Sequence, residues 1–382
     1  MAADATGATS RRYGLANLRV NDAEIIVIGA GPAGSTCATL CACAGRKVLM
    51  LEAARFPRDK VCGDCINPSA WPVLDRLGLI SRVKLLPSTS PKLLRFSAPG
   101  HEVVEFSTPS NSIGQRLIVV RRRDLDLLLV ERAVEGGVEF LDGYPVTSLS
   151  KRGGLWEVTT AQGAYRARVV VAADGRSSIS ARLLQMHRYP ANNGRIGLQS
   201  HIPHPSGYDG ALEMRIYRNG YGGLADLGGG VANLCLVADG GSMKALQREV
   251  ETYYHLQSPT AWRCITPISR PKAQLIARDN VFLSGDAARV MEPFTGEGIS
   301  FALRSGALLA EILISTWQKL PDSKLSIEDY YARSHRNLYS GNLWINRLTR
   351  LLLTHPALAL NLTPFLMRHP KCIEFLMKSV MH

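Results

Sequence analysis

The sequence predicts an α/β chain: a parallel-sheet domain, an inserted antiparallel β-sheet domain and a helical C-terminal segment. Three observations predict it. An Ile/Val-rich run at residues 24–28 leads straight into Gly29-Ala30-Gly31-Pro32-Ala33-Gly34 and a small-residue helix. Two later Val- or Phe-bearing runs also end in glycine and acid, at Asp174-Gly175 and Gly285-Asp286. Between them lie stretches that alternate apolar and polar residues and are punctuated by Gly and Pro turns.

Each element has a local reason. The run 24–28 is apolar on both faces, as a buried parallel strand must be. Gly29 permits a tight turn, Gly31 lets a pyrophosphate approach the backbone, and Gly34 lets the following helix pack close to the strand. That helix runs to about Ala44, with Gly45 placed as its cap. A second strand covers residues 47–51, and Glu52 ends it eighteen positions after Gly34, where a carboxylate can take ribose hydroxyls. Strand, helix, strand and acid in this order make a Rossmann-like dinucleotide site. In an open parallel sheet the strand C-termini face the ligand crevice, so three glycine-bearing strand ends converge on one elongated cofactor.

Composition narrows the class. The 382 residues carry no low-complexity tract and no internal repeat. Eight cysteines in a chain of this length do not form a disulfide scaffold, and several sit in apolar runs, which fits a reducing, cytoplasmic setting. Residues 1–21 lack the apolar core of a signal peptide and read as a disordered arm. No run reaches about 18 uninterrupted apolar residues, the length a spanning helix needs.

The net charge of +13 is uneven: residues 333–382 hold seven Lys or Arg against one acid, Glu374. The apolar stretches of this tail are broken at Pro356, Pro364 and Pro370 into short amphipathic helices. They read as a packed cap or as a surface lying on anionic lipid, peripheral at the membrane. Nucleic acid is excluded, because the basic residues are interleaved with aliphatic ones and no binding motif is present.

The three glycine segments, with "VVRRRDLDLLLVERAVEGGVEFLDG" between the first two, resemble the para-hydroxybenzoate hydroxylase-like FAD superfamily over most of residues 22–315. The resemblance implies FAD. It implies a cofactor set of Gly29, Gly31, Ala33, Gly34, Glu52, Ala53, Arg122, Asp174, Gly285, Asp286, Gly296, Glu297, Gly298 and Ile299. Within it Glu52 holds the adenosine ribose and Arg122 lies near the pyrophosphate or the flavin. Asp174 supports the pyrophosphate region, and Asp286 holds the ribityl or pyrophosphate part. The backbone at 296–298 sits by the flavin ring, where a helix N-terminus stabilises negative charge. No second Gly-x-Gly-x-x-Gly follows a strand, so electrons arrive from transient NAD(P)H or from a separate reductase.

The segment "FPRDKVCGDCINPS" poses a narrower question. Cys62 and Cys65 form a Cys-x-x-Cys pair with Asp64 between them. Zinc would need two more ligands at sensible spacing, which the sequence does not supply, so no metal is expected. A redox dithiol stays open. The segment resembles the Phe-Pro-Arg-x-Lys-x-Cys-Gly-Gly stretch of geranylgeranyl reductases, and "EPFTGEGISFALRSG" resembles their Pro-x-Thr-Gly-Glu-Gly-Ile stretch. By that resemblance Cys62 is a wall of the flavin cavity, Cys65 packs on the helix approach, and Asp64 replaces the second Gly.

Cys62 and Asp64 are therefore the catalytic candidates, supplying or positioning a proton. Substrate contacts are expected at Tyr221, Gly223 and Pro293. The family's Tyr-x-Trp-x-Phe-Pro strand keeps Tyr221 but has Gly223, Ala225 and Asp226 at its Trp, Phe and Pro positions. Two aromatics are thus replaced by Gly and Ala, which opens volume, and Asp226 adds a charge. The expected reaction is reduction of a carbon–carbon double bond in a hydrophobic, lipid, isoprenoid or polyketide-like substrate by hydride from flavin N5. Flavin-dependent hydroxylation is the alternative; halogenation and a non-catalytic flavoprotein are further ones.

The expected domains are 22–90, 115–189 and 276–315 for FAD, 91–114 and 190–275 for the substrate sheet, and 316–382 for the helical tail.

Overall fold

Burial on both faces organises the first sheet. Residues 25–27 and 169–172 are fully buried, so these strands carry unbroken apolar runs with helices on either side. The computed structural model describes residues 22–340 except 101, 109, 111–113, 188–193, 257–260, 267, 269–272, 274 and 320–326; beyond them it describes 351, 364, 368, 369, 371 and 372. The arm at 1–21 and the basic stretch of the tail lie outside the described residues.

The first sheet has eight strands. Its parallel centre runs in the order Val281–Leu283, Gly163–Ala172, Asp22–Ile28, Val48–Glu52 and Glu139–Asp142. Register is what matters for function. Ile28 pairs with Ala172 and Leu51, and Ala172 pairs with Leu283. The turns that follow those strands therefore open side by side at one edge. An antiparallel hairpin, Val146–Arg152 and Leu155–Thr160, extends the sheet from Gly163–Ala172.

Two helices cross each other under these turns. Gly306 of Gly298–Thr316 approaches Pro32–Cys43 so closely that a Cβ on it would stand 2.3 Å from the Ala33 carbonyl oxygen. Gly298–Thr316 is 19 residues long, with a mean hydropathy of 1.4 over its most apolar window, and 61% of that window is buried. It is a core helix of this fold. Behind it packs Ile327–Ser340, whose Ile327, Tyr331, His335 and Tyr339 recur every four residues and are buried.

The second sheet has seven strands, taken from residues 93–107 and 195–265. Most neighbours are antiparallel, including the hairpin Leu93–Ser97 and Val104–Ser107. One pair departs from the expected pattern: Leu212–Tyr217 lies parallel to Leu93–Ser97. The two strands come from separate excursions of the chain, so no hairpin forces them antiparallel. The helix Met243–Tyr253 covers one face through Leu246 and Val250. The other face turns toward the first domain. A three-stranded sheet, Cys65–Ile66, Ile118–Val120 and Ser88–Thr89, joins the two.

Candidate active site

The aligned strand ends build a cleft of about 380 Å³. Gly29 has φ +100°, and a Cβ there would stand 2.4 Å from the Ala173 carbonyl oxygen. Gly34 is tighter, with a Cβ position 1.9 Å from the Gly29 oxygen. Gly31 differs: its Cβ position faces only the guanidinium tips of Arg58 and Arg122, at 3.8 and 3.9 Å. The backbone there is open to a ligand with cations opposite it.

Those cations share one carboxylate, and Arg58 also lies 3.7 Å from Glu52. Asp126 is fully buried and accepts two hydrogen bonds of 2.8 Å from Arg122. It also contacts Arg58 at 2.8 Å. Lys60 shares the cleft; burial lowers its pKa, and neighbouring Arg58 and Arg122 lower it further. Three cations against the two carboxylates Asp126 and Glu52 leave an excess of positive charge that favours an anionic pyrophosphate.

At the strand ends, Glu52 accepts from the backbone N–H of Ala30 (2.9 Å) and Ala54 (3.0 Å). One oxygen of Asp174 accepts from Ser180 N and Oγ, both at 2.9 Å. Its other oxygen, Oδ1, is buried without a protein hydrogen-bond partner. Asp286 sits in the turn Gly285–Ala287, 3.5 Å from Arg176. The open glycine backbone, the cation cluster and the spare Asp174 oxygen together fit FAD.

Of the residues expected from the sequence, Gly29, Gly31, Ala33, Glu52, Ala53, Arg122, Asp174 and Asp286 line this cleft, as do Gly296, Gly298 and Ile299. Gly34, Gly285 and Glu297 stand behind its wall. Gly285 packs against Ala33, and its N–H donates to Ser305 Oγ at 2.8 Å. The Glu297 side chain is 2% exposed, and its charge acts on Arg304. Gly34 serves helix packing alone.

The Cys62 loop corrects two expectations. Asp64 is 1% exposed and is absent from the cleft wall. It takes a left-handed conformation, φ +59°. Its Oδ1 accepts from the Arg122 N–H (3.1 Å) and its Oδ2 from Asn233 Nδ2 (2.8 Å), with His201 Nε2 3.6 Å away. Burial raises its pKa. The carboxyl therefore ties the loop to the helix Arg122–Glu135 and to the second sheet instead of facing the reacting centre.

Cys65, expected as a packing residue, lines the cleft beside Cys62 and Gly296. The Cys62 carbonyl oxygen accepts from Gln199 Nε2 (2.9 Å) and Asn233 Nδ2 (2.8 Å). Burial raises the pKa of both Cys62 and Cys65, so the thiols are neutral. Among the described residues no group of three His, Cys, Asp or Glu is placed to hold a metal ion.

A second cavity, about 130 Å³, adjoins the first. The two share residues 61–63, Cys65, Arg176, Pro293 and Gly296 in their walls. Tyr221, Gly223 and Ala225 line it from one strand, as side-chain alternation requires. Asp226 points elsewhere: its Oδ1 lies 2.9 Å from His204 Nε2 and accepts from Gly228 N at 2.7 Å. It holds a turn and adds no charge to the cavity.

Sequence reasoning missed a buried network at this boundary. Arg195 donates to both oxygens of Glu292, at 2.8 and 3.0 Å, and the Tyr221 hydroxyl donates to Glu292 Oε1 at 2.6 Å. Its members lie 97 and 71 positions apart, so no local spacing announces it. Asp126 was missed too, although its i,i+4 spacing from Arg122 was a readable signal.

Comparisons with known proteins agree with this geometry. Residues 22–203 match the family model described as an FAD binding domain. Menaquinone reductase of Mycobacterium tuberculosis is 30% identical, with 91% of this chain and 88% of that protein aligned. Digeranylgeranylglycerophospholipid reductase 2 of Methanopyrus kandleri is 27% identical, with 81% of each chain aligned. The solved structure of PqsL from Pseudomonas aeruginosa with 2-aminobenzoylacetate superposes with a TM-score of 0.75 at 19% identity, over 87% of this chain and 96% of that one. The last likeness concerns the fold alone. The chain is an FAD-dependent oxidoreductase and belongs to the geranylgeranyl reductase-like group of the para-hydroxybenzoate hydroxylase-type superfamily.

Proposed function

We propose that the protein reduces a carbon–carbon double bond in an apolar substrate. The observation that carries this reading is the apolar cavity opening onto the FAD cleft at the Cys62–Cys65 loop. Residues of the cleft would hold FAD, which when bound and reduced would supply the hydride; the alkene also needs one proton, which this chain's residues must hold. The walls of the second cavity position the alkene and exclude water.

Cys62 lines both cavities as a neutral thiol and holds a proton at Sγ where the two meet. Asp64 positions that loop through Arg122 and Asn233. Tyr221, Gly223 and Pro293 border the substrate. The relatives named as reductases support the reaction class. NAD(P)H or a separate reductase delivers the electrons, and the basic tail supports a site at an anionic lipid surface, which co-sedimentation with phosphatidylglycerol vesicles tests.

The reaction is tested without oxygen. Enzyme reduced by dithionite is mixed with 2-cyclohexen-1-one or 2-octenal, and the saturated product is read by mass spectrometry. Anaerobic product formation supports reduction. Product that forms only with oxygen, carrying an added oxygen atom, assigns hydroxylation instead.

A further inference from the structure

We propose that the second cavity is a ring compartment: it takes one uncharged six-membered ring of the substrate, and Gly223 and Ala225 set its size. The word substrate rests on the reductase reading; the ligand preference of the cavity does not.

Size comes first. At about 130 Å³ the compartment approaches the roughly 150 Å³ of an apolar cavity that stays dry and binds benzene. A second fused ring or a long chain would have to extend into the FAD cleft.

Chemistry comes next. The lining is largely aliphatic, from Leu94, Met214, Leu236 and Ile268, and the polar side chains on it are already engaged. The Tyr221 hydroxyl donates to Glu292, and the Asn233 amide donates to Cys62 O and Asp64. The Cys235 thiol donates to Cys62 O at 3.4 Å. Among the described residues the one charged side chain in the wall, Arg176, stands at the junction with the FAD cleft, 3.5 Å from Asp286. A cationic or strongly hydrated group in the aliphatic part would lose its water without recompense.

Shape favours a ring over a branched alkyl group. Phe294 meets Tyr221 edge-to-face with centroids 5.3 Å apart, and meets Phe96 in the same way at 6.4 Å. An aromatic or cyclic alkene ring extends such an arrangement. The compartment exists because of what its strand lacks. A Cβ on Gly223 would stand 3.1 Å from Met214 Sδ, and Ala225, 4% exposed, projects only a methyl group.

The test uses the full-length, FAD-loaded enzyme with toluene as probe, by saturable thermal stabilisation and perturbation of the flavin absorbance. Wild type binds toluene, and Ala225→Leu loses affinity by about tenfold or more at unchanged flavin content. Gly223→Ala meets the flexible Met214 end at 3.1 Å and the Glu213 carbonyl oxygen at 3.4 Å, and gives an intermediate loss, which guards against misfolding of the larger variant. The anaerobic assay adds a second reading. Ala225→Leu slows turnover of 2-cyclohexen-1-one far more than that of 2-octenal.

Equal toluene affinity in wild type and Ala225→Leu, or no saturable binding to wild type, overturns the compartment. If toluene binds and is lost in Ala225→Leu while neither alkene substrate is reduced, the compartment stands and the reductase reading falls.

Discussion

Asp64 offers a direct test of how the Cys62 loop is built. Two substitutions remove the same carboxyl: Asp64→Gly and Asp64→Ala. Both lose the bonds from Arg122 N and Asn233 Nδ2, so that loss cancels in the comparison. What remains is the backbone. At φ +59° a Cβ costs about 1–2 kcal/mol, which glycine avoids. Glycine in turn loses about 0.5–1 kcal/mol more backbone entropy on folding. Glycine should therefore be the more stable variant by roughly 1 kcal/mol, the reverse of the usual order. Urea unfolding of the FAD-loaded variants at a common slope measures the difference. An alanine variant as stable as the glycine variant would refute the left-handed conformation.

The same variants report on chemistry. If Asp64 only positions the loop, Asp64→Gly retains FAD and substantial turnover. Loss of all turnover with full flavin content restores the carboxyl as an acid. The pH sign follows from burial, which raises the folded pKa above 3.8. The carboxyl's contribution to stability is full below 3.8 and is lost as pH rises through the raised folded value. The glycine variant lacks that slope.

The FAD cleft yields three further expectations. Gly34→Ala forces a Cβ to 1.9 Å from the Gly29 oxygen and should abolish folding or FAD loading, whereas Gly31→Ala keeps the apo-protein's melting temperature and weakens FAD binding, as flavin release would show. Asp126→Ala leaves Arg58 and Arg122 without their shared carboxylate and should destabilise the apo-protein by about 3–5 kcal/mol; added FAD, whose pyrophosphate supplies an anion, should then stabilise the variant more than wild type in thermal melts. Lys60 has a lowered pKa in the cation cluster, and phosphate charge raises it, so FAD binding takes up a proton between the lowered value and 10.5. Affinity should fall as pH rises through that window, and calorimetry in buffers of different ionisation heat should detect the uptake.

The cofactor half of the site was legible because its causes are local. Gly29, Gly31 and Gly34 act within one turn, and spacing from Gly34 located Glu52; Asp174 and Asp286 stood out as acids at apolar strand ends, and the family resemblance supplied their roles. The register that aligns Ile28, Ala172 and Leu283 joins segments far apart, yet the parallel-sheet rule implied it before any pairing was known. The substrate half obeys no such rule. Arg195, Tyr221 and Glu292 come from two strands and a loop, and only the packed fold makes them neighbours.

Asp64 shows why an isolated sequence reading of a carboxyl misleads. A carboxylate next to Cys62 invites an acid–base role, because a chain position says nothing about side-chain direction. The left-handed backbone turns Asp64 away from the cleft, toward Asn233, a residue 169 positions later. The same backbone explains the family's second glycine at this place: the conformation is what the loop needs, and glycine meets it without strain. Asp meets it at a cost that the bonds to Arg122 N and Asn233 offset. Gly223 and Ala225 give the opposite case. There the absence of side chains is itself the signal: Gly and Ala stand where the family pattern has Trp and Phe, and the structure sets both on the face of Tyr221. Departures from a family pattern are thus readable when they change volume on a known face. They are opaque when they change a contact across the fold.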